Sequence, residues 1–210
     1  MAVEPHLLET WCRLWSRSRN VEPPVWDGDA LRTWVGEAGQ SERWVFGSVG
    51  PGLVALTRTI ADPNVQVKVC ASAAEVRALI PSAWRLGTPR FFMTAQLRRA
   101  EAACAPAGNR IELADEDWGW KAMANDPDGV EVGRAGLLIE GGLAVIDRLV
   151  VDDAHRGRGL AAALVDRLQA EAVRRGATEG ALVATAAGRP VYARQGWGVV
   201  SDYTTCSLGR

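Results

Sequence analysis

A chain of 210 residues holds one large domain or two small ones, and with 48% apolar and 23% charged side chains it can bury a sizeable core. The 24 basic and 25 acidic side chains leave a net charge of -1 without any block of like charges, so nucleic acid is not the expected partner. No apolar run approaches the roughly 18 residues of a membrane span, and Met1 to Thr10 has neither a basic start nor a signal-type apolar stretch. The expectation is a cytoplasmic protein without a membrane partner.

In chain order, His6 to Arg19 places Leu7, Trp11, Leu14 and Trp15 at helical spacing. Asp27 to Ala38 reads as a second helix, with Ala30, Leu31, Trp34 and Val35 on one face and Gly36 and Gly39 at its end. Leu53 to Ile60 and Val65 to Cys70, rich in β-branched residues and separated by Ala61-Asp62-Pro63-Asn64, read as two strands of a hairpin. Ser72 and Glu75 form a capping box for a helix that Pro81 should end. Cys104 to Asn109 is the candidate boundary between an N-terminal tryptophan-rich region, 1–107, and a C-terminal domain, 108–210. Beyond it, Arg110 to Ala114, Trp118 to Ala124, Val130 to Glu140 and Leu143 to Val151 read as an antiparallel meander. Leu160, Leu164, Leu168 and Ala172 then form one stripe of a helix closed by Arg174, Arg175 and Gly176. Ala181 to Ala184 reads as a strand, Arg189 to Arg194 as a short helix begun near Pro190, and Trp197 to Ser207 as a β-rich tail.

Several chemistries lose support at this level. Cys12, Cys70, Cys104 and Cys206 never approach a Cys-x-x-Cys spacing, so they read as reduced, partly buried thiols. Two histidines, His6 and His155, are too few for a His-rich metal site, and no Gly-x-Ser-x-Gly elbow presents a serine nucleophile. His155, in a turn, is expected to be a solvated imidazole outside the catalytic set. The nine tryptophans are expected mainly to pack, with one or two touching ligand.

The informative stretch is Asp147 to Ala161, DRLVVDDAHRGRGLA, where a strand leads through a glycine-containing loop into the helix at Leu160. Unpaired N–H groups at a helix start, with the positive end of its dipole, attract anions, and glycine lets a diphosphate approach the main chain. Arg156 and Arg158 would add charge-assisted contacts. With only Gly157 and Gly159 and no following lysine, the loop matches neither the nucleotide phosphate loop nor the dinucleotide fingerprint.

Arg156-Gly157-Arg158-Gly159-Leu160-Ala161 resembles the Arg/Gln-x-x-Gly-x-Gly/Ala signature of the GCN5-related N-acetyltransferase (GNAT) superfamily. Tyr192-Ala193-Arg194-Gln195-Gly196-Trp197 is similar to the family's later Tyr-x-x-x-Gly-Phe/Trp element. Together they cover about the last 100 residues. The resemblance implies an α/β fold with a mixed, mostly antiparallel sheet flanked by helices. The first half would be a diverged copy of that architecture or an elaboration forming the acceptor wall, with the copy preferred.

The resemblance also implies acetyl-CoA as co-substrate, its pyrophosphate held by the main chain of Arg156, Gly157, Arg158, Gly159, Leu160 and Ala161. Leu149, Val150 and Val151 would lie on a strand that splays from its neighbour and offers backbone groups to the pantetheine arm. Tyr192 matches the family's thiolate-protonating tyrosine. Asp147 is the candidate base, itself or through water, and period-two alternation would place it on one face with Leu149 and Val151. Thr185 stands roughly where many members carry an asparagine. The expected reaction is direct acetyl transfer to the amine of a small-molecule acceptor, without a metal and with a second copy of the chain as a candidate partner. Alternatives are a catalytically silent acyl-CoA-binding or assembly protein, and an acyltransferase acting on protein lysine or a hydroxyl.

Overall fold

The computed structural model describes residues 2–98, 105–106 and 108–209. Within the expected boundary segment Cys104 to Asn109, Cys104 and Ala107 lie outside them. The chain divides into two compact units: residues 1–93 with 183–186 and 199–210, and residues 94–182 with 187–198.

In the first unit α1 (Pro5–Arg17) follows the expected helix, capped by Glu4 on the N–H groups of His6 and Leu7. Next come β1 (Val25–Asp27), β2 (Ala30–Glu37) and β3 (Gln40–Phe46), paired in antiparallel order. The helix expected over Asp27 to Ala38 is therefore a strand. Ala30, Leu31, Trp34 and Val35 fit helical spacing, but β2 gains a full ladder against β3, and a register shift between Trp34 and Glu37 accommodates the turn into β3. The converse correction concerns Leu53 to Ile60, which forms α2 (Pro51–Thr59). Pro51 presets its first turn, and the Thr57 hydroxyl donates back to the Leu53 carbonyl at 2.8 Å. The expected hairpin is absent as well, because β4 (Val65–Val69) runs parallel to β3, with α2 as the crossover.

Ser72 and Glu75 make the expected capping box at the start of α3 (Ala73–Arg77). After it come β5 (Trp84–Leu86) and β6 (Arg90–Gln96). Trp84 is buried against Leu53, Val67, Val76 and Ile80, and its indole N–H donates to the Thr57 carbonyl at 2.8 Å.

The second unit opens with the expected meander, β7 (Arg110–Glu116), β8 (Gly119–Asn125), β9 (Glu131–Glu140) and β10 (Leu143–Val151). A 3-10 turn at Asp153–His155 leads to α4 (Leu160–Arg174), then β11 (Glu179–Thr185) and α5 (Arg189–Arg194). The stripe Leu160, Leu164, Leu168 and Ala172 is buried as expected. The Leu164 side chain would lie 3.4 Å from a Cβ on Gly133, which fixes the sheet face carrying Gly133, Ala135, Leu137 and Val151 as the one under α4. The tail forms β12 (Gly198–Asp202) and β13 (Thr204–Leu208).

The strand orders are β1-β2-β3-β4-β13-β5 and β12-β6-β11-β10-β9-β8-β7. Each contains an antiparallel run, a crossover helix, a parallel neighbour and one intercalated strand: β13 lies between β4 and β5, and β6 between β11 and β12. Cys12, Cys70 and Cys206 are buried free thiols, and burial raises all three above their ordinary range. Among the described residues no helix is long and apolar enough to cross a membrane.

Candidate active site

The loop from Val151 to Leu160 pairs its first amides internally or with β9 and leaves the later ones free. Gly157 and Gly159 have φ of 74° and 85°, a region that strains a side-chain-bearing residue. Gly159 caps α4 without a side-chain hydrogen bond, and the first helical bond runs from the Ala163 N–H to the Gly159 carbonyl. Among the described residues the N–H groups from Gly157 to Ala162 have no hydrogen-bond acceptor. A Cβ on Gly157 would meet only open space. A row of free amides at the positive end of a fifteen-residue helix, beneath an uncluttered glycine, suits a diphosphate. Arg156 folds back, its Nε donating to the Val151 carbonyl at 3.2 Å and its Nη2 standing 2.7 Å from Asp153 in an exposed pair. Arg158 is exposed, and His155 is half-buried on the 3-10 turn.

The strand leading into this loop is paired on one side only for most of its length. β10 and β11 run parallel, but their ladder joins only Leu143, Ala144 and Val145 to Glu179, Gly180 and Ala181. Past Val145, β10 has no ladder with β11, and this is the segment carrying Leu149, Val150 and Val151. Against β9, the register shifts between Asp147 and Val150, and Arg148 there has a φ of 58°. This bulge corrects the alternation expected from sequence. Asp147 faces Gly136 and Val150 faces Arg134, so those two share one face, while Val151 faces Gly133 beneath α4.

Tyr192 on α5 is 6% exposed and packs edge-on to Trp197, with ring centroids 6.0 Å apart. Burial, then the nearby Asp147 carboxylate, raise its phenol above the ordinary value of 10, so it remains protonated at neutral pH. The fold thus brings Tyr192 within electrostatic range of Asp147. Gln195 fastens α5 to α4 through the Ala162 carbonyl at 2.8 Å and Asp166 at 2.6 Å. Trp197 donates to Gln169 at 3.0 Å.

Sequence reasoning missed a pocket beside Asp147, on the sheet face away from α4. It has a volume of about 240 Å³ and is lined by Glu116, Trp118, Lys121, Arg134, Ala135, Gly136 and Arg148. A Cβ on Gly136 would lie 2.9 Å from the Trp118 ring, so glycine is what lets the indole lie against the strand. The usable signals were Trp118 beside a strand start and the glycine interrupting β9.

The first unit holds a counterpart with different chemistry. α2 also connects parallel neighbours, yet β3 and β4 stay paired from Glu42–Val65 through Phe46–Val69. Pro51 removes a donor from the first turn of α2, and the Asp29 carboxylate stands so close that a Cβ on Gly52 would clash with its Oδ1. A carboxylate already occupies the place where an anion would sit.

A mixed sheet whose parallel neighbours part ahead of an uncapped, glycine-led helix agrees with the fold that the resemblance to the GNAT acetyltransferases implies. The family model for the GNAT acetyltransferase domain matches residues 102–207, just over half of the chain, which therefore belongs to that family. Among solved structures, the chain is similar to a GCN5-related N-acetyltransferase from Kribbella flavida, with TM-score 0.70 and 14% identity over 97% of this chain and 95% of that one. It is also similar to a GCN5-related N-acetyltransferase from Sphaerobacter thermophilus, with TM-score 0.64 and 16% identity over 98% and 93%. A third is a GCN5-related N-acetyltransferase-like protein from Streptococcus suis, with TM-score 0.58 and 15% identity over 93% and 92%. These likenesses extend across both units and establish the fold. No curated protein sequence matches the chain.

Proposed function

We propose that the chain transfers an acetyl group from acetyl-CoA directly to the amine of a small-molecule acceptor. The observation that carries this reading is the row of free amides from Gly157 to Ala162 at the start of α4. Arg156, Gly157, Arg158, Gly159, Leu160 and Ala161 hold the diphosphate, and Leu149, Val150 and Val151 offer backbone groups along the edge of β10 that has no ladder with β11. When bound, acetyl-CoA supplies a thioester carbonyl open to attack.

The attacking nitrogen must be neutral, because an ammonium has no lone pair. Asp147, or water held by it, accepts the proton the amine loses as its bond to the acetyl carbon forms. Tyr192, kept protonated by burial and by the neighbouring carboxylate, gives its proton to the departing sulfur. The first unit is a diverged copy of the same connection order in which Asp29, Pro51 and the closed β3–β4 ladder exclude the co-substrate.

The test is calorimetry with acetyl-CoA alongside thiol release in the presence of amines. Tyr192→Phe should retain binding while the rate falls by about 10²-fold or more, the usual scale of general acid catalysis. Acetyl-CoA that fails to bind, or binds away from Gly157 to Ala162, overturns the reading. Binding without thiol release from any amine would establish a silent acyl-CoA-binding protein instead.

A further inference from the structure

Resting on the acyl-transfer reading, we propose that the pocket over Trp118 is the acceptor site, and that its substrate is a small amine carrying a carboxylate on a flat body. At about 240 Å³ it is smaller than the ~300–1,000 Å³ of drug-sized sites, which suits one ring with a short acid rather than a protein loop. Its floor is the Trp118 indole lying on Gly136.

Three cationic side chains, Lys121, Arg134 and Arg148, line it against one carboxylate, Glu116. Glu131 bridges Lys121 at 2.8 Å and Arg134 at 2.9 Å and so fixes the positions of both. Asp147 occupies the position on the same sheet face that pairs with Gly136, so an acid bound near the arginines leaves its amine at the Asp147 end.

Arg148 is the residue that marks this as a built site. Its φ of 58° is a conformation that residues other than Gly, Asn and Asp seldom adopt. At this bulge the strained backbone turns the guanidinium over the Trp118 ring, 5.5 Å from its centroid. Strain retained at one arginine, which also lines the cavity, is the pattern expected where side-chain placement matters more than backbone comfort.

The test measures binding without acetyl-CoA, so that it does not depend on acyl transfer. Calorimetry compares 3-phenylpropionate with its neutral isostere 3-phenylpropionamide on the wild-type chain and on Arg148→Gly. Glycine accepts a positive φ, so this variant should keep the fold, which its thermal midpoint verifies. The acid should bind about tenfold more tightly than the amide to wild type, and the two should bind alike to Arg148→Gly. Arg148→Lys should restore part of the preference, and L-phenylalanine should be acetylated with a lower KM than L-phenylalaninamide. Equal binding of acid and amide to wild type, or a preference that survives in Arg148→Gly, overturns the assignment. Selective binding by a chain that fails to bind acetyl-CoA would overturn the acyl-transfer reading and leave the pocket standing.

Discussion

Glu171, near the end of α4, is a buried carboxylate that two arginines keep ionised. Arg174 donates through Nε at 2.9 Å and Nη2 at 2.5 Å, and Arg175 through Nε at 2.6 Å. Arg175 also lies over Trp120, 3.8 Å from the ring centroid, which ties the helix end to β8. The Arg174 hydrogen bonds above all, assisted by Arg175, pull the acid from its ordinary 4.5 to about 2. At about 1.36 kcal/mol per tenfold change in acidity, that interval corresponds to ~3 kcal/mol. Solvent screening of Arg174, whose side chain is 65% exposed, reduces the expected value to about 2 kcal/mol.

Because folding lowers this pKa, the stabilisation is complete above about pH 4.5 and is lost as the pH falls toward 2. Glu171→Gln should therefore lower the thermal midpoint by about 4–8 °C at pH 7, using ~2–4 °C per kcal/mol for a chain of this size. Urea titrations of both proteins between pH 7 and pH 3 should show the gap shrinking by more than half. Parallel stability curves across that range would refute the reasoning.

Lys68 destabilises where Glu171 stabilises, with the same direction of pH dependence in a higher window. Burial, then Arg43 and Arg90, depress its ammonium from 10.5 to about 7, so the unfolded chain binds the extra proton and stability should climb between pH 7 and about 10. Lys68→Met should flatten that climb and raise stability at pH 7 by about 1–3 kcal/mol, as read by urea denaturation. Gly180→Ala should lower stability by about 1–3 kcal/mol in the same assay, because its Cβ would lie 2.5 Å from the Trp197 ring. Calorimetry with acetyl-CoA should return one site per chain, since Asp29 stands at the start of α2, the crossover helix of the first unit; two equivalent sites would contradict this.

What could be read from the sequence follows the range of the interactions involved. The α4 stripe, the Ser72–Glu75 cap and the turns between β7 and β10 rest on neighbours in the chain, and all stand where expected. The order strand, glycine loop, helix, tyrosine helix also pointed to the family. Elements decided by distant partners were misread. The Ala30–Glu37 pattern suits a helix until β3 supplies a ladder, and the Leu53–Ile60 pattern suits a strand until β3 and β4 run parallel and need a crossover. The bulge at Arg148 had no local signal, because arginine is a poor choice for its φ, and without it the face of Asp147 could not be assigned. The pocket was hidden for the same reason, since Lys121, Arg134 and Arg148 come from three strands.

The place of β13 between β4 and β5 bears on how the chain is made. Thr204 to Ser207 pair with Val69 to Gln66 on one side, and Cys206 to Leu208 with Leu86 to Trp84 on the other. The first-synthesised sheet thus stays split until Thr204 to Leu208 leave the ribosome, and during translation the facing edges of β4 and β5 are strands awaiting a partner. Contacts so far apart in sequence slow folding, and an unfilled slot in a sheet invites pairing with another nascent chain. A chain cut before Thr204 would leave that slot empty, even though the cut spares every residue of the α4 loop.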